Sequence, residues 1–448
     1  MKRILIIFTT MALVFSLVAC GNEEIENASI GTTITEAPQV DMTQRPEEST
    51  PMPTEQPIQQ PSNTENESED SSEVMEPVEN GSETTGLVVD DAYVNLPVSQ
   101  GFVFESNGDG TCTLTEIGVC QDENIVIPQT SPTGDKVTLI GEYAFYNAED
   151  VTSIVFAGLV MKLDNKAFQS CDVEKIVITG CELEIGGYAF SYCEDVAELE
   201  ISNSTLEVES YAFYDFGKDM SVSITDCTGS FDEKAFQTCL AESFLIKDCT
   251  LEIDDYAFSY CEDITSVLFE NCKLEIGSYV FYDSGDDAEV KFVNCDSELD
   301  DKAFQSCGLV SLFFVDGEVV IGDYVFSYCE DLTDVVIETN NIEIGTYAFY
   351  DCTELVTVSI AANSDNSDMV IVIDDKAFQS SSVQNVLIGK GKIDLGDYAF
   401  SYCEELVSVE IQGTINDIGT NVFYDCPDEL VIDYQGVPYN KKSIETVK

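Results

Sequence analysis

No histidine occurs in this sequence, and no arginine follows Arg45. The first absence removes the side chain that most often works as a general base or zinc ligand near neutral pH. The second means that any cationic catalytic partner beyond residue 45 would have to be a lysine. Basic residues are scarce as a class: 19 against 85 acidic ones, for a formal net charge of −66. A chain with so few cations cannot neutralise phosphates, which points away from nucleic acid. Anionic lipid surfaces would repel it too. The charge keeps such a protein soluble outside the cell, and it favours basic proteins and divalent cations as partners. Also missing are a CxxC pair, a serine in a nucleophile-elbow setting and a Gly/Asp loop of known calcium type.

The chain starts Met1-Lys2-Arg3, runs apolar from Ile4 to Ala19, and meets Cys20. A short basic region before an apolar core reads as a secretory signal over 1–19, not as a structural helix. Leu17-Val18-Ala19-Cys20 resembles a bacterial lipobox, which implies lipidation of Cys20 and attachment to a membrane. Each buried methylene of the lipid would contribute about 0.8 kcal/mol. Residues 20–86 carry seven of the twelve prolines, with Glu, Ser, Thr, Gln and Asn filling most of the rest. Such a stretch cannot bury enough apolar surface to offset its chain entropy, and reads as a disordered acidic stalk. It would span roughly 45 Å root-mean-square.

From Phe145 onward one phrase recurs, Ala-Phe or Val-Phe. Its phenylalanines are Phe145, Phe168, Phe190, Phe213, Phe236, Phe258, Phe281, Phe304, Phe326, Phe349, Phe378, Phe400 and Phe423. Successive anchors lie 22 or 23 residues apart, except for the step of 29 from Phe349 to Phe378. A fixed period in this range predicts a β-rich solenoid of about 13 coils, each burying its apolar face only against its neighbours. In Val173-Glu174-Lys175-Ile176-Val177-Ile178, the apolar residues at Val173, Ile176 and Ile178 predict one strand, and Leu183-Glu184-Ile185 a second. Stacking would set these strands in parallel ladders about 4.8 Å apart, making a rod roughly 60 Å long. Phe-Tyr, Lys-Ala-Phe-Gln and Phe-Ser-Tyr-Cys-Glu units alternate in that order, so three coils form a block of 68 residues. We divide the rest into an N-terminal cap over 87–140, the solenoid over 141–426, and a C-terminal cap and tail over 427–448. The extra residues of the long step, near Ala361 to Asp368, read as a loop.

The phrase Leu332-Thr333-Asp334-Val335-Val336-Ile337, followed by Ile342-Glu343-Ile344-Gly345-Thr346-Tyr347-Ala348-Phe349-Tyr350-Asp351-Cys352, resembles the BspA-like leucine-rich repeats of bacterial surface proteins. The entry matches too: Asn107-Gly108-Asp109-Gly110-Thr111 reads as a hairpin turn and Ile125-Val126-Ile127-Pro128 as the strand before the first full coil. The likeness covers about residues 100 to 435. Most units lack the proline that often follows the family's first strand, which alters a turn and not the fold. The resemblance implies a solenoid displayed on a bacterial surface, with adhesion to host or neighbouring cells.

Two cysteine columns stand out. Nine cysteines lie three residues after an anchor (Cys171, Cys193, Cys239, Cys261, Cys307, Cys329, Cys352, Cys403, Cys426), and five lie nine before it (Cys181, Cys227, Cys249, Cys272, Cys295). Ala148, Ser284 and Ser381 replace them in the first column, which reads as a small buried slot holding free thiols. Neighbours on one ladder are too far apart for routine disulfides. Cys112 and Cys120, in the cap, are the best candidates for a bridge. Acid pairs recur at Asp232-Glu233, Asp254-Asp255, Asp300-Asp301 and Asp374-Asp375. A solvated acidic face is favoured there over calcium bridging.

The outward positions of the first strand form two rows. Ser153, Ser221, Ser243, Ser266, Ser311, Thr357 and Ser408 make one small and polar. Val155, Val177, Leu245, Leu268, Phe313, Val336 and Leu387 make the other apolar, and these seven are the candidate partner-binding residues. β-propensity on a sheet face is the competing account. No catalytic or metal site is assigned, because every carboxylate pair is repeated, whereas a catalytic centre is a local constellation. A binding protein for proteins or surface glycans is the leading reading. A polysaccharide-acting β-helix enzyme and a structural surface component are the alternatives.

Overall fold

The computed structural model describes residues 87–339, 342–362 and 370–447. Cys20, the segments read as signal and stalk, and most of the stretch Ala361–Asp368 read as a loop lie outside them. The described chain is a right-through stack of about 14 turns, a parallel β-solenoid.

Each coil contributes two short strands. The first set, here sheet A, includes Ser153–Ala157, Lys175–Thr179, Glu198–Ser202 and Met220–Thr225, paired parallel and in register. The second, sheet B, includes Val160–Leu163, Glu182–Ile185, Thr205–Val208 and Thr228–Phe231. In two coils the strands fuse, giving Ala288–Leu299 and Leu309–Ile321. Alternation decides which residues face inward: Val173, Ile176, Ile178 and Ile185 have no exposed surface and Leu183 almost none.

A turn carrying the anchor closes each coil. All twelve consecutive pairs of the thirteen anchor rings are stacked, with centroids 4.5–5.7 Å apart. The long step does not interrupt them: Phe349 lies on Phe378 at 4.8 Å and 2°. The extra residues of that coil therefore stay out of the core. Each plug is tied to the next coil by its backbone, as where the Phe190 N–H donates to the Ala212 carbonyl at 2.8 Å.

Each end carries a hairpin. Val103–Ser106 pairs antiparallel with Thr111–Glu116 through the expected hairpin, and Thr111–Glu116 then pairs parallel with Lys136–Ile140. Asn124–Val126 joins sheet A in register with Ser153–Val155. The entry cap thus supplies a coil of its own, one more than the anchors count. At the far end Val431–Tyr434 folds back on Val437–Tyr439, and a short helix α1, Lys441–Ile444, buries Ile444. The hairpins occupy the edge of sheet B at the entry and of sheet A at the far end.

Candidate functional site

The expected apolar row exists as one register of sheet A. Val126, Val155, Val177 and Glu200 follow one another on the ladder. Further along, Leu245 pairs with Leu268, Leu268 with Lys291, Lys291 with Phe313, and Phe313 with Val336. Ser359 separates Val336 from Leu387. Lys291 does not break the patch, since its Nζ lies 5.2 Å from the Phe313 ring centroid and its stem covers apolar surface.

The two halves of the row differ. Leu245, Leu268, Phe313, Val336 and Leu387 are half-buried, while Val155 and Val177 are buried. A strap of chain over 88–99 accounts for this. Ser99 exchanges hydrogen bonds with Val126, its N–H on the Val126 carbonyl and its Oγ accepting from the Val126 N–H, both at 3.1 Å. The Tyr93 hydroxyl donates to Glu200 at 2.9 Å. Because Val126 and Glu200 flank Val155 and Val177 on the ladder, the chain between Tyr93 and Ser99 crosses both valines. Asp90 pins the strap further, accepting from Ser202 Oγ at 2.6 Å and Asn203 Nδ2 at 2.9 Å. No sequence period announces such a contact.

The cysteine columns hold free thiols. All sixteen described cysteines are free, and all but Cys120 are buried. Cys112 and Cys120 are not bridged; the Cys112 thiol instead donates to the Asp135 carbonyl at 3.6 Å. The slot is more specific than a small apolar one. Cys193, Cys261, Cys329 and Cys403 each donate to the carbonyl of the anchor one coil back, at 3.1–3.3 Å. Burial pushes the Cys171, Cys261 and Cys329 thiols up to about 12, so they stay protonated and unreactive.

The acid pairs also have assignments. Asp255, Asp301 and Asp375 accept backbone N–H groups of the following coil, from Ser278 at 2.8 Å, Asp323 at 2.9 Å and Asp397 at 2.6 Å. Their partners Asp254, Asp300 and Asp374 are pushed up by burial first and then by neighbouring carboxylates, as is Asp232. Glu252, Asp254, Glu275, Glu298 and Asp300 line an acidic groove beside sheet B. Among the described residues no group of acids is disposed to hold a metal ion.

Sequence reasoning missed a tyrosine array on the anchor turns. The residue two before each anchor adopts a left-handed backbone, as at Lys166 (φ 60°) and Tyr188 (φ 58°), although neither is glycine. That conformation costs about 1–2 kcal/mol per residue. It turns these side chains outward into a second ladder. Tyr188 stacks on Tyr211 at 5.0 Å, Tyr256 on Tyr279 at 4.9 Å and Tyr324 on Tyr347 at 4.8 Å. Tyr192, Tyr260, Tyr328 and Tyr402 stand edge-on to Tyr214, Tyr282, Tyr350 and Tyr424 of the next coil, at 5.4–5.6 Å. The signal was present as tyrosines recurring every three coils.

A match to a family of repeat proteins agrees with this architecture. The family described as BspA type leucine rich repeat region (6 copies) matches residues 119–242, 183–311, 251–367 and 319–436. No curated protein matches. Among solved structures, a leucine-rich repeat protein from Bacteroides ovatus ATCC 8483 is 18% identical with a TM-score of 0.40, covering 76% of this chain and 100% of its own. A leucine rich cell surface protein from Faecalibacterium prausnitzii A2-165 is 17% identical with a TM-score of 0.29, covering 77% and 96%. The pneumococcal vaccine antigen PcpA is 14% identical with a TM-score of 0.24, covering 75% and 84%.

Proposed function

The chain belongs to the BspA-type leucine-rich repeat family, and from that premise we propose that it is a surface-displayed binding protein, anchored by lipid on Cys20, whose sheet A docks a protein or glycan in adhesion. The observation that carries this reading is the uncovered part of the apolar row. Leu245 and Leu268 sit side by side on the parallel sheet, as do Phe313 and Val336, and all four stay half-buried where Val155 and Val177 are buried. A contiguous, partly exposed apolar strip rimmed by polar residues suits an interface core. The serine and threonine row beside it is hydrogen-bonded along the sheet, as where Ser408 Oγ donates to Asn385 Oδ1 at 2.8 Å, and forms a polar rim.

A non-catalytic role is supported by the acid pairs. Three of the four use one carboxylate to bond the backbone of the next coil, leaving no unrepeated pair for acid and base work.

The test has two arms. Leu268→Asp with Phe313→Asp should weaken binding to any captured host or bacterial surface partner by about tenfold or more; unchanged binding overturns the sheet A assignment. Metabolic labelling with a fatty-acid analogue should mark the native chain and not Cys20→Ala, and label on both, or on neither, removes the anchor.

A further inference from the structure

Four exposed tyrosines, each two residues after an anchor, form a second surface, independent of sheet A. Tyr192, Tyr260, Tyr328 and Tyr402 are 40%, 39%, 41% and 42% exposed, high values for large aromatic side chains. Each is followed by a buried cysteine and then by two exposed acids: Glu194-Asp195, Glu262-Asp263, Glu330-Asp331 and Glu404-Glu405. The inward cysteine sends the tyrosine and the acids outward together. The same element, an exposed ring followed two and three residues on by exposed carboxylates, is thus presented four times.

The rings on this face already accept cations. Lys234 Nζ lies 5.7 Å from the centroids of both Tyr211 and Tyr256, Lys302 lies 5.2 Å from Tyr279, and Lys376 lies 4.9 Å from Tyr347. Among the described residues, lysines lie over these inner rings and none lies over the four outer ones. An aromatic face flanked by carboxylates attracts ammonium and guanidinium groups. A net charge of −66 draws basic partners to the whole surface before contact. A neutral glycan would stack on the rings and donate hydroxyls to the acids, but it would gain nothing from their charge, whereas a cation uses both.

We propose that the four Tyr-Cys-acid-acid elements form a multivalent receptor for an extended cationic polypeptide, each element taking one lysine or arginine side chain. The spacing sets the ligand's pattern. Successive elements are three coils apart, about 14 Å at the ladder repeat, which an extended chain covers in about four residues. The ligand therefore carries a basic residue at roughly every fourth position. Four weak contacts joined on one chain reinforce one another through effective concentration.

The experiment measures binding of the full chain to two peptides by calorimetry. One has lysine at every fourth position among glycine, serine and proline; the other has the same composition with its lysines at one end. The spaced peptide should bind about tenfold or more tightly than the clustered one. The combined Tyr192→Ser, Tyr260→Ser, Tyr328→Ser and Tyr402→Ser variant should lose that advantage, and the corresponding phenylalanine set should keep it, because the ring and not the hydroxyl makes the contact. Equal binding of both peptides would mean attraction by charge alone and would overturn the proposal. So would undiminished binding by the serine set, or ring-dependent binding of a neutral glucan oligosaccharide with none of the peptide. Should the serine set fold poorly, neutralising the four acid pairs to Gln and Asn is the second variant, and full binding by it has the same consequence.

Discussion

The Cys261 thiol donates to the carbonyl of Phe236, 3.3 Å away in the preceding coil. Ser284 does the same to Phe258 at 2.8 Å, one coil further on. The column is therefore a line of small donors to the anchor carbonyls, added at Phe168, Phe236 and Phe304 to a backbone N–H from three residues on, and serine serves as well as cysteine.

Cys261→Ser should be close to neutral, whereas Cys261→Ala removes one of the two donors to the Phe236 carbonyl, which keeps the Cys239 N–H at 3.0 Å, and costs about 0.5–1.5 kcal/mol. Urea unfolding midpoints distinguish the two. The same burial predicts thiol reactivity. Within residues 112–426 of the native protein, only Cys120 should react with a thiol reagent, and all should react in denaturant.

The response to pH follows from Asp232, Asp254, Asp300 and Asp374, whose carboxyls are raised by burial and by neighbouring acids. Between the ordinary carboxylate pKa and the raised one, the folded chain holds more protons than the unfolded chain. Stability therefore falls as pH rises through that window and recovers as pH is lowered. We expect the melting temperature to rise on moving from pH 7 toward the carboxylate range. The combined Asp→Asn variant at these four positions should be more stable at pH 7 and show a flatter profile. A melting temperature that falls steadily from pH 7 downward in both proteins would contradict this.

The strap is held by few bonds, and Asp90 makes three of them, two through its carboxylate and one through its N–H to Thr179. Asp90→Ala should cost about 1–2 kcal/mol locally. Hydrogen exchange should quicken over residues 88–99 and at Val155 and Val177, with the anchor turns unchanged. Loss of protection throughout the solenoid would mean that the strap supports the whole stack rather than covering one part of it.

Much of the fold was legible because a solenoid repeats its own instructions. Ile176, Ile178, Leu183 and Ile185 reveal their inward facing by alternation, and twelve neighbouring coils say the same. The candidate site was legible in part. Leu245, Leu268, Phe313, Val336 and Leu387 were found as outward positions of one strand and lie on one register. Val155 and Val177 obey the same pattern, yet are buried, because what covers them comes from outside the repeat. The tyrosine array went unread for a different cause. Tyr192 meets Tyr214, and Tyr188 meets Tyr211, only when one coil lies on the next.

Periodicity alone determined the coil, the anchor, the parallel ladders and the inward set, since each coil can bury its apolar face only against a near-copy of itself. Tertiary structure decided what that period cannot encode. It placed Tyr93 and Asp90 against Glu200 and Ser202, more than a hundred residues away in sequence. It also turned the recurring Phe anchors, first visible as spacing, into one unbroken stack of rings, with cysteine and serine donors closing their carbonyls. Those contacts depend on three-dimensional neighbours, and stacking is what supplies them.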